Sequence, residues 1–157
     1  MAGAPERWSL RARIEAFLAA HHVMTLATAG PDGPWAAAVF YASEGVELYF
    51  LSAPGSRHCR GIEASGAAAA AIHGECRDWR EIRGIQLDGS VTRLEGAARA
   101  AAALCYGRKF PLVANAASAP AEIAAALARI EWYRVSPRRI RLIDNTLGFG
   151  HKEELSL

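Results

Sequence analysis

The chain has 157 residues, of which 52% are hydrophobic and 22% charged, and its net charge is +2. This composition is typical of one globular domain with a single core, and it excludes a disordered chain. It also excludes a helical membrane span, because no apolar run approaches the ~20 residues that cross a bilayer, and the small net charge does not imply nucleic acid as a partner.

The cysteines and the first ten residues indicate the cellular compartment in which the protein is expected. Cys59, Cys76 and Cys105 are odd in number and form no C-x-x-C pair, so neither a disulfide framework nor a zinc site is indicated. Residues 1–10 lack the apolar stretch of a secretory signal. We therefore expect a cytoplasmic protein with no bound metal and with small buried thiols.

The first part of the chain predicts a helix followed by hairpins. Apolar residues recur at helical spacing over residues 6–22, which gives an N-terminal helix within residues 1–22. Alternating or β-branched runs separated by Gly, Pro and Asp turns then predict three strands. These strands are residues 23–29, 34–42 and 46–51.

The break after the third strand predicts a site for an anion. The run Ser-Ala-Pro-Gly ends the strand, and the chain restarts at Ser56, Arg57 and His58 as a helix over residues 56–64. Free N–H groups at a helix start attract an anion, a serine adds a hydroxyl, and an arginine pairs bidentately with phosphate. The sequence therefore predicts a phosphate-binding corner here.

The second part of the chain continues with strands around a helical segment. A strand is expected at 67–73, and a long one at 79–95 with a bulge near Asp88-Gly89. Helical propensity marks residues 97–129, with helices at 97–109 and 119–129. Two final strands, 130–135 and 138–144, are separated by Ser136-Pro137.

This order of elements predicts the architecture. Hairpins dominate over βαβ units, so we expect a mainly β (α+β) domain over residues 1–157 whose antiparallel sheet closes on itself, with helices at its ends. No repeat or linker divides the chain into two domains.

Several motifs, in this order along the chain, carry a family resemblance. They are Thr25-Leu26-Ala27-Thr28, Pro31-Asp32-Gly33, Pro34-Trp35, Phe40-Tyr41, Leu48-Tyr49-Phe50, Ser56-Arg57-His58, Ile82-Arg83-Gly84-Ile85-Gln86 and the run from Ile143 to Lys152. With these motifs the chain resembles the pyridoxamine 5'-phosphate oxidase-like FMN-binding split-barrel proteins, over about residues 14–154. It looks like a small bacterial branch with no assigned substrate.

The resemblance implies a homodimer of six-stranded split barrels with an FMN at each of two sites along the interface. Position by position, the strand 36–41 would run beside the isoalloxazine ring, with Val39 and Phe40 facing its polar edge and Tyr41 at its end. Leu51 and Ser52 match positions beside the ribityl chain and phosphate. The corner of Ser56, Arg57 and His58 matches the Ser-Arg-Lys that holds the phosphate.

Departures from the family pattern modify these expectations. Ala36 replaces an arginine and His58 replaces a lysine, so weaker FMN retention is expected, because a neutral histidine carries no charge. Gly84 stands where the oxidase has its flavin-contacting glutamine, and Gln86, on the same strand face, becomes the candidate. The oxidase's C-terminal Arg and His signature is not recognisable, which argues against pyridoxamine phosphate as substrate.

The tail between Asp144 and Lys152 offers further candidates for the cofactor site. Asn145, Phe149 and Lys152 lie in or beside a Gly-Phe-Gly loop, which suggests a cover over something flat, with Lys152 favouring negative charge on a reduced flavin. The alternative is an ordinary glycine-rich turn that caps the barrel.

These observations predict an FMN-binding oxidoreductase that acts on an unidentified small molecule, and no catalytic acid or base is nominated. Two other readings stay open. One is a non-catalytic flavin or haem binder, with His58 or His151 as axial ligand, and a deazaflavin is a further cofactor candidate. The other is a nucleic-acid-binding barrel, which the lack of an interleaved aromatic and basic face disfavours.

Overall fold

A computed structural model describes residues 8–157, and these form five helices and eight strands. The predicted N-terminal helix was placed within residues 1–22, and residues 1–7 of that range lie outside the described part of the chain. The helices are α1 Leu10–Ala20, α2 Arg57–Ser65, α3 Gly96–Lys109, α4 Pro111–Ala114 and α5 Ala121–Leu127. The strands are β1 Val23–Gly30, β2 Gly33–Phe40, β3 Ala42–Glu44, β4 Glu47–Ser52, β5 Ala67–His73, β6 Arg83–Leu94, β7 Glu131–Asp144 and β8 Lys152–Ser156.

All strands belong to one antiparallel sheet with the order β2-β1-β5-β6-β7-β4-β3, and β8 pairs with β7 beside this path. β2 stands at one end of the order, yet it contacts β4 near the other end. The sheet therefore curls into a split barrel, as the resemblance implied, although it contains eight strands where six were expected. Its interior holds the large apolar side chains of α1 and of alternate strand positions, among them Leu18, Leu26, Phe50, Ile85 and Ile140.

The predicted strands correspond to this sheet with three differences, and the sheet contains one further strand, β8, that was not predicted. The expected separation of the last two strands at Pro137 was wrong, because β7 continues through it. Pro137 pairs with Gly89, where the register of β6 against β7 shifts. A bulge leaves room there for a residue that lacks an N–H donor. The bulge predicted near Asp88-Gly89 is thus confirmed, and it accommodates Pro137 within β7.

The other two differences lie at strand ends. Trp79–Glu81 forms a 3₁₀ turn, so the predicted long strand begins only at Arg83. The second strand is interrupted at Tyr41, whose buried hydroxyl donates to the carbonyl of Leu18 at 2.7 Å, and β3 follows as a separate piece. The tail adds β8, which local sequence did not predict.

The helices sit where they cover the curled sheet. α1 begins after Ser9, whose Oγ accepts from the N–H of Ala12 at 3.2 Å, and it buries Ile14, Phe17 and Leu18 in the core. α3 packs a second apolar cluster of Tyr49, Leu94, Ala102, Tyr106 and Trp132. Among residues 8–157, no helix has the length and apolar character to traverse a bilayer.

Candidate functional site

The predicted phosphate corner lies between the end of β4 and the start of α2, and we use that name for Ser52, Ser56, Arg57 and His58. Ser56 caps α2, since its backbone is extended and its Oγ accepts from the N–H of Cys59 at 3.4 Å. α2 is capped at its C-terminal end by Gly66, whose left-handed φ of 68° glycine adopts without strain. The first turn of α2 thus lies at the phosphate corner, as the sequence predicted.

Three side chains of the phosphate corner meet within hydrogen-bond distance. His58 Nε2 lies 2.5 Å from Ser52 Oγ and 3.3 Å from Ser56 Oγ. The two hydroxyls are 3.5 Å apart. Ser52 from the strand and the two helix residues therefore form one polar cluster that can donate to an anion through its hydroxyls and imidazole.

Arg57 reaches from the helix start to the turn between β1 and β2. Its guanidinium carbon lies 4.3 Å from the centre of the Trp35 ring, and one Nη donates to the carbonyl of Asp32 at 2.7 Å. Its Nε is buried and has no hydrogen-bond partner among residues 8–157. A buried donor without an acceptor is costly, and a phosphate oxygen would satisfy it. The residues present therefore fit an anionic group.

Close glycine packing holds α2 at this place. A Cβ on Gly61 would lie 3.1 Å from the side chain of Thr28 on β1, and one on Gly30 would lie 3.0 Å from the Cα of Gly61. A Cβ at either position would push the helix and strand apart by a few tenths of an ångström, so glycine favours this close approach. The β1–β2 turn and the start of α2 are thereby brought together.

Cys59 stands beside the phosphate corner and was not singled out as a site residue. Cys59 is 3% exposed and Cys105 is buried, which confirms the predicted buried thiols at these two positions. The prediction was wrong for Cys76, which is exposed. Burial acts to raise the pKa of the Cys59 thiol, but hydrogen bonds from His58, Ser56, Tyr133 and Ser52 outweigh burial and lower that pKa to about 7. Its position three residues after the capping Ser56, in the first turn of α2, is the sequence signal that could have identified Cys59 as a site residue.

The strand expected beside the flavin ring is an exposed edge. In the described part of the chain β2 pairs only with β1, and most of its residues are exposed although all are apolar or glycine. Phe40 is 58% exposed, and Val39 packs partly against the core. The Tyr41 side chain instead points into the core, and burial raises the pKa of its hydroxyl, so it offers no side-chain contact here.

Two other predicted site residues, Leu51 and Gln86, differ in where they lie relative to the phosphate corner. Leu51 neighbours the corner on β4, opposite Trp132 of β7. Gln86 is exposed on β6 and pairs with Arg141, near the other end of β7. Gln86 and the corner are therefore not brought together in a single chain.

The Gly-Phe-Gly loop is pinned by Asn145. The Asn145 amide donates to the carbonyl of Trp79 at 2.7 Å, and its oxygen accepts from the N–H of Gly150 at 3.1 Å. Phe149 is 82% exposed at the tip and lies edge-on to Trp79, with ring centres 5.4 Å apart. Lys152 begins β8 and is exposed. Asn145 thus joins the loop to the 3₁₀ turn at Trp79 through both polar atoms of its side chain.

The second histidine considered as an axial ligand is already paired. His151 Nε2 lies 3.3 Å from Glu153, whose two carboxylate oxygens each accept from Arg13 at 2.7 Å. These residues line a recess of about 430 Å³ with Trp8 and Leu147. No group of three or more potential metal ligands occurs in the described part of the chain.

The chain matches a known protein-family model and has curated relatives. Residues 10–144 match the family model for pyridoxamine 5'-phosphate oxidase. The chain is 34% identical over 141 residues to the UPF0306 protein plu4501 of Photorhabdus laumondii, which covers 88% of this chain and 90% of that protein. It is 33% identical over 141 residues to the UPF0306 protein YhbP of Escherichia coli, which covers 88% of each.

Solved structures share the fold at low identity. A heme binding protein from Mycobacterium smegmatis matches with a TM-score of 0.71 and 22% identity, over 95% of this chain and 59% of that one. HutZ, the heme storage protein from Vibrio cholerae, matches with 0.65 and 13%, over 95% of both. A putative pyridoxamine 5'-phosphate oxidase from Listeria innocua matches with 0.65 and 16%, over 85% of this chain and 98% of that one.

Proposed function

The chain belongs to the pyridoxamine 5'-phosphate oxidase-like family, in the branch that includes the UPF0306 proteins, and from this we propose that it is an FMN-dependent oxidoreductase acting on a small molecule. The observation that carries the proposal is the buried Nε of Arg57, which has no hydrogen-bond partner among residues 8–157, together with the hydroxyls and imidazole that the phosphate corner also provides. Together these groups supply donors of the kind that a phosphate requires.

Bound FMN would supply the electron transfer. The protein's part is to hold and orient it. Arg57, Ser56 and the start of α2 would bind the phosphate, and Ser52 and Leu51 at the end of β4 would lie beside the ribityl chain. Val39 and Phe40 on β2 would then offer backbone groups to the ring, since β2 is an unpaired edge.

The proposed assembly is a homodimer with the ring bound between subunits. β2 is apolar and exposed over most of its length, with Trp35 and Phe40 facing solvent in a single chain. An exposed apolar edge strand of this kind marks an interface. A second copy would also supply groups that one chain keeps far from the phosphate corner, among them Gln86, Phe149 and Lys152.

The proposal is tested by removing the arginine. Arg57→Ala is expected to weaken FMN binding by about tenfold or more, because a hydrogen bond to a charged group contributes ~1.5–3 kcal/mol. Isothermal titration of the purified protein with FMN measures the change.

Arg80→Ala is the matched control. Arg80 also stacks over a tryptophan, with its guanidinium carbon 4.6 Å from the centre of the Trp79 ring, and it also donates to a nearby residue, here Asp78. Its removal changes the net charge equally, so it is expected to leave FMN affinity unchanged. A loss of less than about threefold in Arg57→Ala would contradict the phosphate contact.

Haem is the second candidate ligand, because two proteins with this fold are described as heme binding or heme storage proteins. His58 and His151 are the nominated axial ligands, and each Nε2 already has a partner, Ser52 or Glu153. Haem binding would require one of these bonds to break. The visible spectrum of the chromophore released from purified protein distinguishes the two cofactors.

A further inference from the structure

A recess that the proposed function does not use lies against α1, and we call it the α1 recess. Its volume is about 390 Å³, within the ~300–1,000 Å³ of small-molecule sites. On one side, Arg13, Ala16, Phe17 and Ala20 follow one another at spacings that place them on one face of the helix. On the other side lie residues that follow β5 and residues that lead into β6.

The α1 recess and the phosphate corner lie at opposite ends of β1. His21, which lines the recess, precedes β1, whereas Gly30 at the end of β1 packs closely against Gly61 of α2. β1 has eight residues, and an extended strand of that length spans roughly 23 Å. Within one chain the two sites are therefore distinct.

The α1 side of the recess is apolar and aromatic. The rings of Phe17 and His21 stack with their centres 4.0 Å apart, and Trp8 adds an aromatic side chain that is 62% exposed. His21 Nδ1 lies 2.8 Å from the carbonyl oxygen of Phe17 and donates to it, so Nε2 of the neutral imidazole is an acceptor. A Cβ on Gly74 would lie 3.6 Å from this Nε2, so the acceptor faces the loop after β5.

The two arginines of the α1 recess are already paired. One Nη of Arg13 donates to both carboxylate oxygens of Glu153 at 2.7 Å, and Nε of Arg83 lies 3.3 Å from the Asp144 carboxylate. Neither of these two carboxylates lines the recess. Their charges cancel those of the arginines, so the recess has little positive charge to offer an anionic ligand.

The two carboxylates that line the α1 recess lack such partners. Glu75 and Glu81 form no ion pair among residues 8–157. Together with Nε2 of His21 they provide acceptors beside aromatic rings. This combination attracts an organic cation, because the face of a ring is negative and a carboxylate pairs with an ammonium group.

We propose that the α1 recess binds a small aromatic amine in its protonated form. The apolar body of the ligand would lie against Ala16, Phe17 and Trp8, and its ammonium group would donate to Glu75 and Glu81. A carboxylate ligand would be repelled by the two glutamates, and a neutral ligand would leave them unpaired. This site goes beyond the proposed flavin function and does not depend on it.

Benzylamine is the test ligand, and benzyl alcohol and benzoate are its neutral and anionic counterparts. Each is titrated into the isotope-labelled full-length protein and followed by two-dimensional NMR. Benzylamine is expected to bind at least about fivefold more tightly than benzyl alcohol, and benzoate not to bind. The amide signals that shift are expected to be those of His21, Gly74 and Cys76, while the signals of Arg57 and His58 stay unchanged.

Variants separate the contribution of charge from that of the ring. Glu81→Gln keeps the shape of the side chain, so it is expected to weaken benzylamine binding by about threefold or more and to leave benzyl alcohol binding unchanged. Trp8→Ala is expected to weaken both ligands, and Trp8→Phe to restore them. Glu122→Gln is the matched control, because it makes the same charge change at an exposed position of α5, off the recess.

Three results would overturn the proposal. They are the absence of benzylamine binding at about 10 mM, an affinity for benzyl alcohol or benzoate that equals the affinity for benzylamine, and equal benzylamine affinities of Glu81→Gln and Glu122→Gln. Thermal unfolding confirms that each variant keeps its fold. FMN titration of the same samples tests the flavin function separately, since neither Trp8 nor Glu81 belongs to the phosphate corner.

Discussion

Single residues decide how much charge the phosphate corner offers. Ala36 and His58 stand where the family pattern has an arginine and a lysine, so Arg57 is the one permanent cation among the four corner residues. Cys59 can add a negative charge near this cation, because the hydrogen bonds around Cys59 outweigh its burial and lower the pKa of its thiol to about 7. A thiolate next to a phosphate repels it.

The affinity for FMN is therefore expected to depend on pH through Cys59. As the pH rises from 6 to 8, the thiol loses its proton and places a negative charge beside the phosphate. Relative to Cys59→Ser, the natural protein is expected to lose about threefold or more in FMN affinity over this range. Titrations of both proteins at each pH measure the difference.

Cys105→Ser is the control for this dependence. Burial raises the pKa of the Cys105 thiol, so it stays protonated up to pH 8 and its replacement is expected to leave the pH profile unchanged. Profiles for Cys59→Ser and the natural protein that run parallel would show that Cys59 does not act on the phosphate.

Among the elements, β6 and β7 form the longest pair of the sheet and depend on one glycine. At the bulge, a Cβ on Gly89 would lie 2.2 Å from the carbonyl oxygen of Ser136 and 2.7 Å from the Cα of Pro137. Both contacts are with backbone, which a rotamer change cannot relieve. The bulge lets β7 continue past Pro137, so that this one strand pairs with β4, β6 and β8.

Gly89→Ala is expected to reduce the free energy of unfolding by about 3 kcal/mol, at the upper end of the usual cost of overpacking. Urea denaturation followed by circular dichroism measures this loss. Gly55→Ala serves as the control, because a Cβ there meets no atom within 4 Å and its φ is not positive. Similar stability of the two variants would show that the backbone at the bulge moves freely.

At the scale of the whole molecule, the apolar edge strand β2 is the surface that a single chain leaves uncovered. Phe40 is more than half exposed, and its ring meets that of Phe110 at 65° with ring centres 5.5 Å apart. Pairing of two copies through this face would bury the strand and enclose a flavin ring between them. Cofactor binding and dimerisation are then expected to support each other.

Phe40→Lys is expected to weaken the dimer by about tenfold or more, because it places a charge at the centre of an apolar contact. Sedimentation velocity over a range of protein concentrations, with and without FMN, measures the association. Leu104→Lys on α3 is the control, since Leu104 is also an exposed apolar residue and lies off β2. A natural protein that stays monomeric with FMN present would contradict the dimeric site.

Local chemistry along the chain determined much of this molecule. The helix cap at Ser56, the alternation of the strands and the bulge at Gly89 are each indicated by residues a few positions apart in the chain, so the sequence predicted them. The break expected at Pro137 was wrong, because the proline is accommodated by its partner strand. β8 escaped prediction, since an edge strand is defined by the neighbour it pairs with.

Only the tertiary structure decided which groups meet at the phosphate corner. Trp35 and Arg57 are joined because two glycines let α2 approach β1, and Tyr41 turns inward because the carbonyl of Leu18 accepts its hydroxyl. The low pKa of Cys59 likewise needs Tyr133, which β7 brings from far along the chain. Composition and spacing set each residue's chemistry, but distance between elements depends on how the whole sheet curls.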